Sequence, residues 1–351
     1  MPTIISADSS SAVAITTATQ TYLLPGVTVY EPNSAGTAFF LLDDGLLSIA
    51  GTAIGEIGIY GETTAQDPVD DVELFITPTG SVQGVETAVE LITGTRISVS
   101  TDGSVQGGMG LELTAPRIDV QNSGTITATG DPVGQSNGVQ MISGSALAGQ
   151  GRLVNSGTIT ATGASNGRLN TGVLINGIAL VDIVNSGQIL AADRGIYVPF
   201  EVGDTQISNT GLIESGIHLT ETDTLYLYNG GTITSTNSGY AVYTGSNDAI
   251  ALENDGTLGG RVYMVTGDRA ALSNSGHVNG TTFISASGEI TGGNSGRMQG
   301  SATLNAGTEL TFQNSGDMLG GLTGTATTLS RLTNSGTLQG NLSLTGATVL
   351  H

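Results

Sequence analysis

Residues 272–279 read LSNSGHVN, and the same motif returns as GGNSGRMQ at 292–299, FQNSGDML at 312–319 and LTNSGTLQ at 332–339. The spacing is 20 residues each time, and the constant part is Asn, a small residue and Gly. A fixed period of this length is typical of solenoid proteins, in which each repeat is one coil stacked on its neighbours.

The Asn-small-Gly motif extends towards the N-terminus at longer and less regular intervals. Ten copies begin at Asn122, Asn155, Asn185, Asn209, Asn229, Asn254, Asn274, Asn294, Asn314 and Asn334. Most of the longer intervals are explained by short insertions into a 20-residue unit, because extra residues in a solenoid leave the coil as loops. The pattern predicts about 20 residues per coil.

Apolar and small residues alternate with polar ones around each Asn. Two residues before the Asn stand residues such as Ile183 and Leu272, and four residues after it stand residues such as Ile189 and Val278. This alternation indicates strands with one buried face, and a constant repeat places like residues over like. The predicted fold is therefore all-β, a parallel β-helix or β-solenoid.

The strength of the repeat predicts three regions. Residues 1–40 do not fit the frame and are expected to form an N-terminal cap, because the edge of a terminal coil is normally covered. Residues 41–121 are expected to form degenerate coils, and 122–351 a regular solenoid that continues beyond the given chain. Insertions are expected mainly at 52–75, 130–150, 163–180 and 194–206, as loops on a lateral surface.

The charge composition excludes two classes of partner. The chain has 351 residues with nine basic and 30 acidic side chains, a net charge of −21 and no Cys. All the basic residues are Arg and none of them cluster, so we expect no binding to nucleic acid. No apolar run is long enough to span a bilayer, so we expect no membrane insertion.

The repeated Asn residues are predicted to be structural. They share the parity of the buried positions, and stacked inward-facing amides can hydrogen-bond to one another and to the backbone of the turn. The Gly of each motif is expected to adopt a positive φ at a tight corner. The ten Asn residues are therefore an expected ladder, without a role in binding a ligand.

No residue is predicted to be catalytic, and no cofactor is expected to be required. Loop carboxylates at Asp43, Asp44, Asp67, Asp70 and Asp71 are candidates for contacts to calcium or a glycan, since Ca²⁺ prefers oxygen ligands. The alternative is a polysaccharide lyase or hydrolase. That alternative requires the three later carboxylates of this group to converge with Asp193, Arg194 or Asp204 around one groove.

Three coils carry a resemblance to a known class of proteins: VNSGTITATG at 154–163, IVNSGQILAADRGIYV at 183–198 and LTNSGTLQG at 332–340. They resemble the passenger repeats of autotransporter adhesins and filamentous-haemagglutinin-like proteins of bacteria. The opening MPTIISADSS, without a signal peptide, looks closer to type I secreted proteins of the repeats-in-toxin group. The resemblance covers about residues 78–351 and implies a right-handed β-helix, an extracellular or cell-surface location and a stalk or adhesive role.

These observations together predict an extracellular structural or adhesive rod that is not an enzyme. Its expected partners are another copy of the chain, by end-to-end or lateral assembly into a filament, or a glycan or protein on a host or cell surface. The alternative is a carbohydrate-active β-helix, either a polysaccharide-degrading enzyme or a glycan binder similar to a phage tailspike.

Overall fold

The computed structural model describes residues 2–15, 20–32, 36–41, 45–62, 71–130, 135–144, 149–163, 169–200, 202–236 and 239–350. Residues 348–350 are described by their backbone alone. The fold is a parallel β-solenoid of about 13 turns with about 23 residues per turn. The described residues contain only strands and turns, without a helix. The predicted all-β parallel β-helix is therefore confirmed.

Each coil contributes strands to three rows. Row A holds the strands that end at the repeated Asn, row B the short strands that follow the Gly, and row C the strands that complete the coil. In row A, for example, Asn254 pairs in register with Asn274, and Asn274 with Asn294. The pairing is parallel throughout, so every coil repeats the direction of the coil before it.

The chain divides into two compact units, of which the first comprises Met1–Ile183 and Gly187–Tyr197. Its row A strands are Thr3–Ile5, Gln20–Leu23, Gly45–Ile49, Asp71–Ile76, Arg96–Thr101, Arg117–Asn122, Gln150–Asn155 and most of Leu180–Asn185. Its row B strands are Thr28–Tyr30, Ser104–Gly107, Thr125–Ala128, Thr158–Ala161 and Gln188–Ala191. Its row C strands are Val13–Ile15, Thr37–Leu41, Met109–Thr114, Ser136–Ile142, Asn170–Asn176 and Arg194–Val198. Two long strands, Thr52–Glu62 and Ser81–Ile92, run through rows B and C.

The second unit comprises Val184–Ser186 and Val198–His351. Its row A strands are Asp204–Asn209, Arg269–Asn274, Ile290–Asn294, Glu309–Asn314, Leu329–Asn334 and Thr348–Leu350. Its row B strands are Leu212–Ile213, Thr232–Thr234, Thr257–Gly259, His277–Val278, Arg297–Met298, Asp317–Met318 and Thr337–Leu338. Its row C strands are Arg261–Thr266, Thr282–Ala286, Ala302–Ala306, Leu322–Thr325 and Leu342–Thr345. Ile217–Asn229 and Tyr240–Asn254 run through rows C and A.

The core of each unit follows from the alternation along the strands. In Arg269–Asn274 the residues Ala270, Leu272 and Asn274 are buried, whereas Ala271 and Ser273 between them are more exposed. Because successive side chains of a strand point to opposite faces, one set lines the interior and the other faces solvent. The in-register pairing then places apolar residues over apolar residues in columns along each unit.

Row C corrects part of the sequence interpretation. The segments 130–150 and 163–180 were expected to be insertions, but Ser136–Ile142 and Asn170–Asn176 are strands of row C. Their polar residues hide the alternation, and Asn137 is buried with its Nδ2 donating to Oε1 of Gln140 at 2.6 Å. The described residues of the segment 1–40 include strands that belong to the same three rows, and the role of this segment as an N-terminal cap stays a prediction.

The glycine of the repeated motif also differs from the prediction. Positive φ values occur at other glycines, such as Gly321 and Gly340, and at none of the ten motif glycines. A Cβ added to Gly276 would instead lie 2.1 Å from the carbonyl oxygen of Gly256 on the preceding coil. Glycine is therefore required at this corner because consecutive coils approach each other closely, and the expectation of a left-handed conformation was wrong.

Candidate functional site

The repeated asparagines form the most regular polar feature of the structure. In eight of the ten, the amide Nδ2 donates a hydrogen bond to Oδ1 of the corresponding asparagine one coil later. In the first unit the pair is Asn122 to Asn155 at 2.6 Å. In the second unit the pairs are Asn185 to Asn209 at 2.7 Å, Asn209 to Asn229 and Asn229 to Asn254 at 2.8 Å, Asn254 to Asn274 and Asn274 to Asn294 at 2.7 Å, Asn294 to Asn314 at 2.8 Å, and Asn314 to Asn334 at 2.7 Å.

The backbone at each asparagine also holds the corner of the next coil. The carbonyl oxygen of Asn274 accepts hydrogen bonds from the backbone N–H of Ser295 at 2.8 Å and of Gly296 at 3.1 Å. The side-chain amide of Asn314 donates in addition to the carbonyl oxygens of Thr337 at 3.1 Å and Gly316 at 3.2 Å. These amides are uncharged and, except for the half-buried Asn334, enclosed, and they connect neighbouring coils.

Only part of the predicted carboxylate group can be located. Asp43, Asp44, Asp67 and Asp70 lie outside the described residues. Asp71 is exposed at the start of its row A strand, and its Oδ1 accepts a hydrogen bond from the Thr95 hydroxyl at 3.2 Å. In the part of the chain that the structure describes, no group of three or more His, Asp or Glu side chains could hold a metal ion. Calcium therefore stays a prediction.

Asp193 and Arg194, two of the residues expected to meet Asp71, lie elsewhere in the first unit. Asp193 accepts hydrogen bonds from the backbone N–H of Asn170 at 2.9 Å and from its Nδ2 at 3.0 Å. The guanidinium of Arg194 lies 3.8 Å from the ring centroid of Tyr197. Both residues are at the entrance to row C, whereas Asp71 opens a row A strand, so they do not surround one groove. In the second unit, Asp204 accepts a hydrogen bond from the Thr224 hydroxyl at 2.5 Å.

A groove with two arginines was not foreseen from the sequence. It lies on the outer surface of row A in the first unit, has a volume of about 590 Å³ and is lined by Arg96, Arg117 and Asp71 among other residues. The signal was present in the sequence, because RISVST at 96–101 and RIDVQN at 117–122 have Arg at the same position of the repeat. Aligning the degenerate coil on its buried residues would have placed the two side chains side by side.

A column of carboxylates on row C was also missed. Glu90 pairs in register with Glu112, and Glu112 Oε1 accepts a hydrogen bond from Gln140 Nε2 at 3.0 Å. Burial raises the pKa of Glu90, and the negative charges of Glu62 and Glu86 raise it further. A half-buried carboxyl with a raised pKa beside a second carboxylate is the kind of pair that can exchange protons with a substrate.

Aromatic rings form a stack on the outer surface of row C in the second unit. His218, Tyr243, Tyr263 and Phe283 follow one another, with ring centroids 5.9, 5.0 and 5.0 Å apart and interplanar angles of 24°, 8° and 12°. Tyr240 packs edge-on against Tyr243, with the centroids 5.3 Å apart. The faces of the inner rings are covered by their neighbours, so the stack fixes the coils to one another.

A shallow trough of about 400 Å³ lies on the outer surface of row A in the second unit. Small residues such as Ala271 and Gly293 form its floor, and Tyr226, whose exposed fraction is 41%, lies at one side. The hydroxyl of Tyr226 donates a hydrogen bond to Oε2 of Glu253 at 2.9 Å, and this bond is the main cause that raises the pKa of Tyr226. The trough is an exposed surface with apolar and polar components.

No protein-family model matches the chain, and no curated protein matches it significantly. A search of the described segments for a helix long and apolar enough to cross a membrane found none.

Proposed function

We propose that this chain is a non-catalytic structural scaffold whose lateral faces make adhesive contacts at the cell surface or outside the cell. The observation that supports the proposal is the asparagine ladder, because the same buried side chain makes the same contact from coil to coil. Polar groups committed to buried hydrogen bonds fix one register, since any slip between coils would leave amides unpaired. A stack of this kind keeps its outer residues at constant spacing.

The expected partners are a glycan or protein on a cell surface, or further copies of the chain. The resemblance of the coils to autotransporter passengers and filamentous-haemagglutinin-like repeats favours the extracellular location, with type I-like secretion as the expected route. End-to-end assembly into a filament belongs to the same proposal, because parallel strands pair readily with further strands in the same register.

Adhesion is tested with two sets of beads. One set is coated with the folded chain, and the control set is coated with chain that was unfolded by heat and cooled in denaturant. We expect the folded chain alone to bind host cells or a glycan array in a saturable manner. Electron microscopy of the purified protein, with and without calcium, tests assembly. If the folded chain binds no cell and no glycan in a saturable manner, the adhesive proposal is contradicted. If electron microscopy shows isolated particles under both conditions, the filament proposal is contradicted.

A carbohydrate-degrading activity is the second candidate, supported by the pair of Glu90 and Glu112. Two carboxyl groups on adjacent strands, one of them with a raised pKa, resemble the pair that glycosidases use as acid and as nucleophile or base. The test measures release of reducing ends from a panel of polysaccharides. An enzyme would lose its activity in Glu90→Gln and Glu112→Gln and keep it in Glu309→Gln, a control on an exposed carboxylate of the other unit. No release by the wild-type chain from any substrate would rule out this hydrolytic activity.

A further inference from the structure

Two arginines lie next to each other on the outer surface of row A. Arg96 pairs in register with Arg117 on the following coil and with Asp71 on the preceding coil. Paired positions of neighbouring strands are about 4.8 Å apart, and like charges on facing positions destabilise a sheet. Among the described residues neither arginine forms an ion pair, although Asp71 is one strand away.

A second column of outward-facing residues on row A contains Asp119, Arg152 and Asp182, and its arginine is paired. Arg152 lies between two carboxylates, with Nη1 3.6 Å from Oδ1 of Asp119 and Nε 3.4 Å from Oδ2 of Asp182. Opposite charges alternate along this column, as the in-register stacking allows. The two unpaired arginines are therefore an exception on their own surface, in a protein of net charge −21.

The environment of Arg96 points to a missing acceptor. Its Nε is buried and has no hydrogen-bond partner among the residues that the structure describes. The nearest carboxylate in register, Asp71, accepts its hydrogen bond from the Thr95 hydroxyl. A buried donor without an acceptor is costly, and the cost is larger for a charged group. An anion placed between the two guanidinium groups would offset this cost and the repulsion between them.

Besides its two arginines, the groove is lined by a side-chain amide and by apolar residues. Gln150 pairs in register with Arg117 on the following coil and supplies a side-chain amide in the same column. Pro116 and Leu180 form apolar walls, and the exposed fraction of Leu180 is 47%. The volume of about 590 Å³ lies within the range of small-molecule sites. A bare inorganic ion would leave the apolar walls and the amide unused.

We propose that this groove binds a carboxylate-bearing saccharide unit. Its carboxylate lies between Arg96 and Arg117, because the planar guanidinium fork matches a carboxylate in a bidentate manner. The C–H face of the sugar ring packs on Pro116 and Leu180, and a hydroxyl group reaches the amide of Gln150. The site rests on the proposed adhesive function and specifies the class of glycan, and soluble glucuronate tests it separately from the binding of coated beads to cells.

The test titrates the whole chain with glucuronate, glucose and inorganic phosphate at constant ionic strength, by saturation-transfer NMR or calorimetry. We expect glucuronate to bind about tenfold or more tightly than either glucose or phosphate. Arg96→Gln and Arg117→Gln should each weaken glucuronate binding about tenfold or more, the effect of losing a charge-assisted pair. Arg152→Gln is the matched control on the same surface and should leave the affinity within about twofold.

Asp71→Asn provides a test of opposite sign. It removes a negative charge beside the bound carboxylate, so glucuronate should bind more tightly, and most clearly at low salt. Equal binding of phosphate and glucuronate would reduce the groove to a general oxyanion site and overturn the saccharide assignment. Glucuronate affinity unchanged in both arginine variants, or no binding of any probe to the wild type, would overturn the site itself. Thermal unfolding of each variant shows that the comparison is between folded proteins.

Discussion

At the scale of single residues, the repeated motif combines two separate requirements. Asparagine supplies a buried amide that can donate and accept along the ladder, and glycine leaves room for the carbonyl group of the preceding coil. The role of the asparagine could be inferred from its parity with the apolar positions. The reason for the glycine could not, because the chemistry of a tight turn and close packing between coils both select glycine, and only the backbone dihedral distinguishes them.

Two neighbouring glycines separate these explanations experimentally. In Gly296→Ala the new Cβ would lie 2.2 Å from the carbonyl oxygen of Gly276, whereas at Gly293 the nearest atom is 4.0 Å away. We expect Gly296→Ala to lower the free energy of unfolding by about 1–3 kcal/mol, as for overpacked sites, and Gly293→Ala to change it little. Urea unfolding followed by circular dichroism measures both, and equal stability of the two variants would contradict the close-approach explanation.

The ladder predicts a large effect at a central asparagine. Asn274→Leu keeps the side-chain size but removes the ladder acceptor of Asn254 Nδ2 and the ladder donor to Asn294 Oδ1. Each buried unsatisfied group costs about 1–3 kcal/mol, so we expect a loss of several kcal/mol. Asn334→Leu is the matched comparison, because Asn334 is half-buried and accepts from Asn314 alone within the ladder. Chemical denaturation should show the smaller loss for Asn334→Leu, and a reversed order would argue against the ladder.

At the scale of elements, the rows differ in how well the sequence indicates them. Rows A and B follow the Asn motif directly, with apolar residues such as Leu272 and Val278 at fixed distances from it. Row C of the first unit carries buried polar residues, including Asn137 and Gln140, that break the alternation of apolar and polar residues. The arginine groove combines residues from several row A strands and their turns, so its position depends on the register between degenerate coils, which the motif does not fix.

The carboxylate column on row C predicts a dependence of stability on pH. Because burial and the nearby Glu62 and Glu86 raise the pKa of Glu90 above that of an ordinary glutamate, the folded state holds this proton more tightly than the unfolded chain does. The stabilisation is complete below the unfolded pKa and is lost as the pH rises through the folded pKa. Glu90→Gln should therefore be more stable than the wild type at neutral pH and show a weaker decline of stability between acidic and neutral pH.

The control for this experiment is Glu309→Gln, on an exposed residue that begins a row A strand in the second unit. It changes the net charge by the same amount without touching the column. Melting temperatures recorded from pH 4 to pH 8 at fixed ionic strength distinguish the two variants. Identical pH profiles for both would show that the effect comes from the net charge and that the environment of Glu90 is not responsible.

At the scale of the whole molecule, the solenoid is built from neighbour-to-neighbour contacts. Coils of this kind stack through local interfaces, so stability is expected to grow with the number of coils and to tolerate the loss of a complete one. The period from Asn274 to Asn294 is one such complete coil, since both ends occupy the same position of the ladder. The number of coils is therefore a variable that can be changed without altering the fold.

Deletion of residues 275–294 tests this property. The deletion joins Asn274 to Ser295 and restores the Asn-Ser-Gly motif, so we expect a folded β-rich protein with a modestly lower melting temperature. Deletion of 275–284, about half a coil, removes fewer residues but joins Asn274 directly to Ser285 of row C, so a row B strand is lost and Asn294 no longer stands one coil after Asn274. The shorter deletion should be the more damaging one by circular dichroism and limited proteolysis. The opposite ranking would be inconsistent with stacked coils of fixed period.

Disulfide trapping of paired strands tests the register of the coils most directly, and the absence of Cys from the chain makes it free of background. Thr291 and Thr311 pair in register in row A, so cysteines at both positions should form a disulfide rapidly, since paired strands lie within bridging distance. Cysteines at 291 and 301 are nearer in sequence but lie in different rows, and should stay reduced. Rapid oxidation of the 291/301 pair with a reduced 291/311 pair would contradict the stacked solenoid.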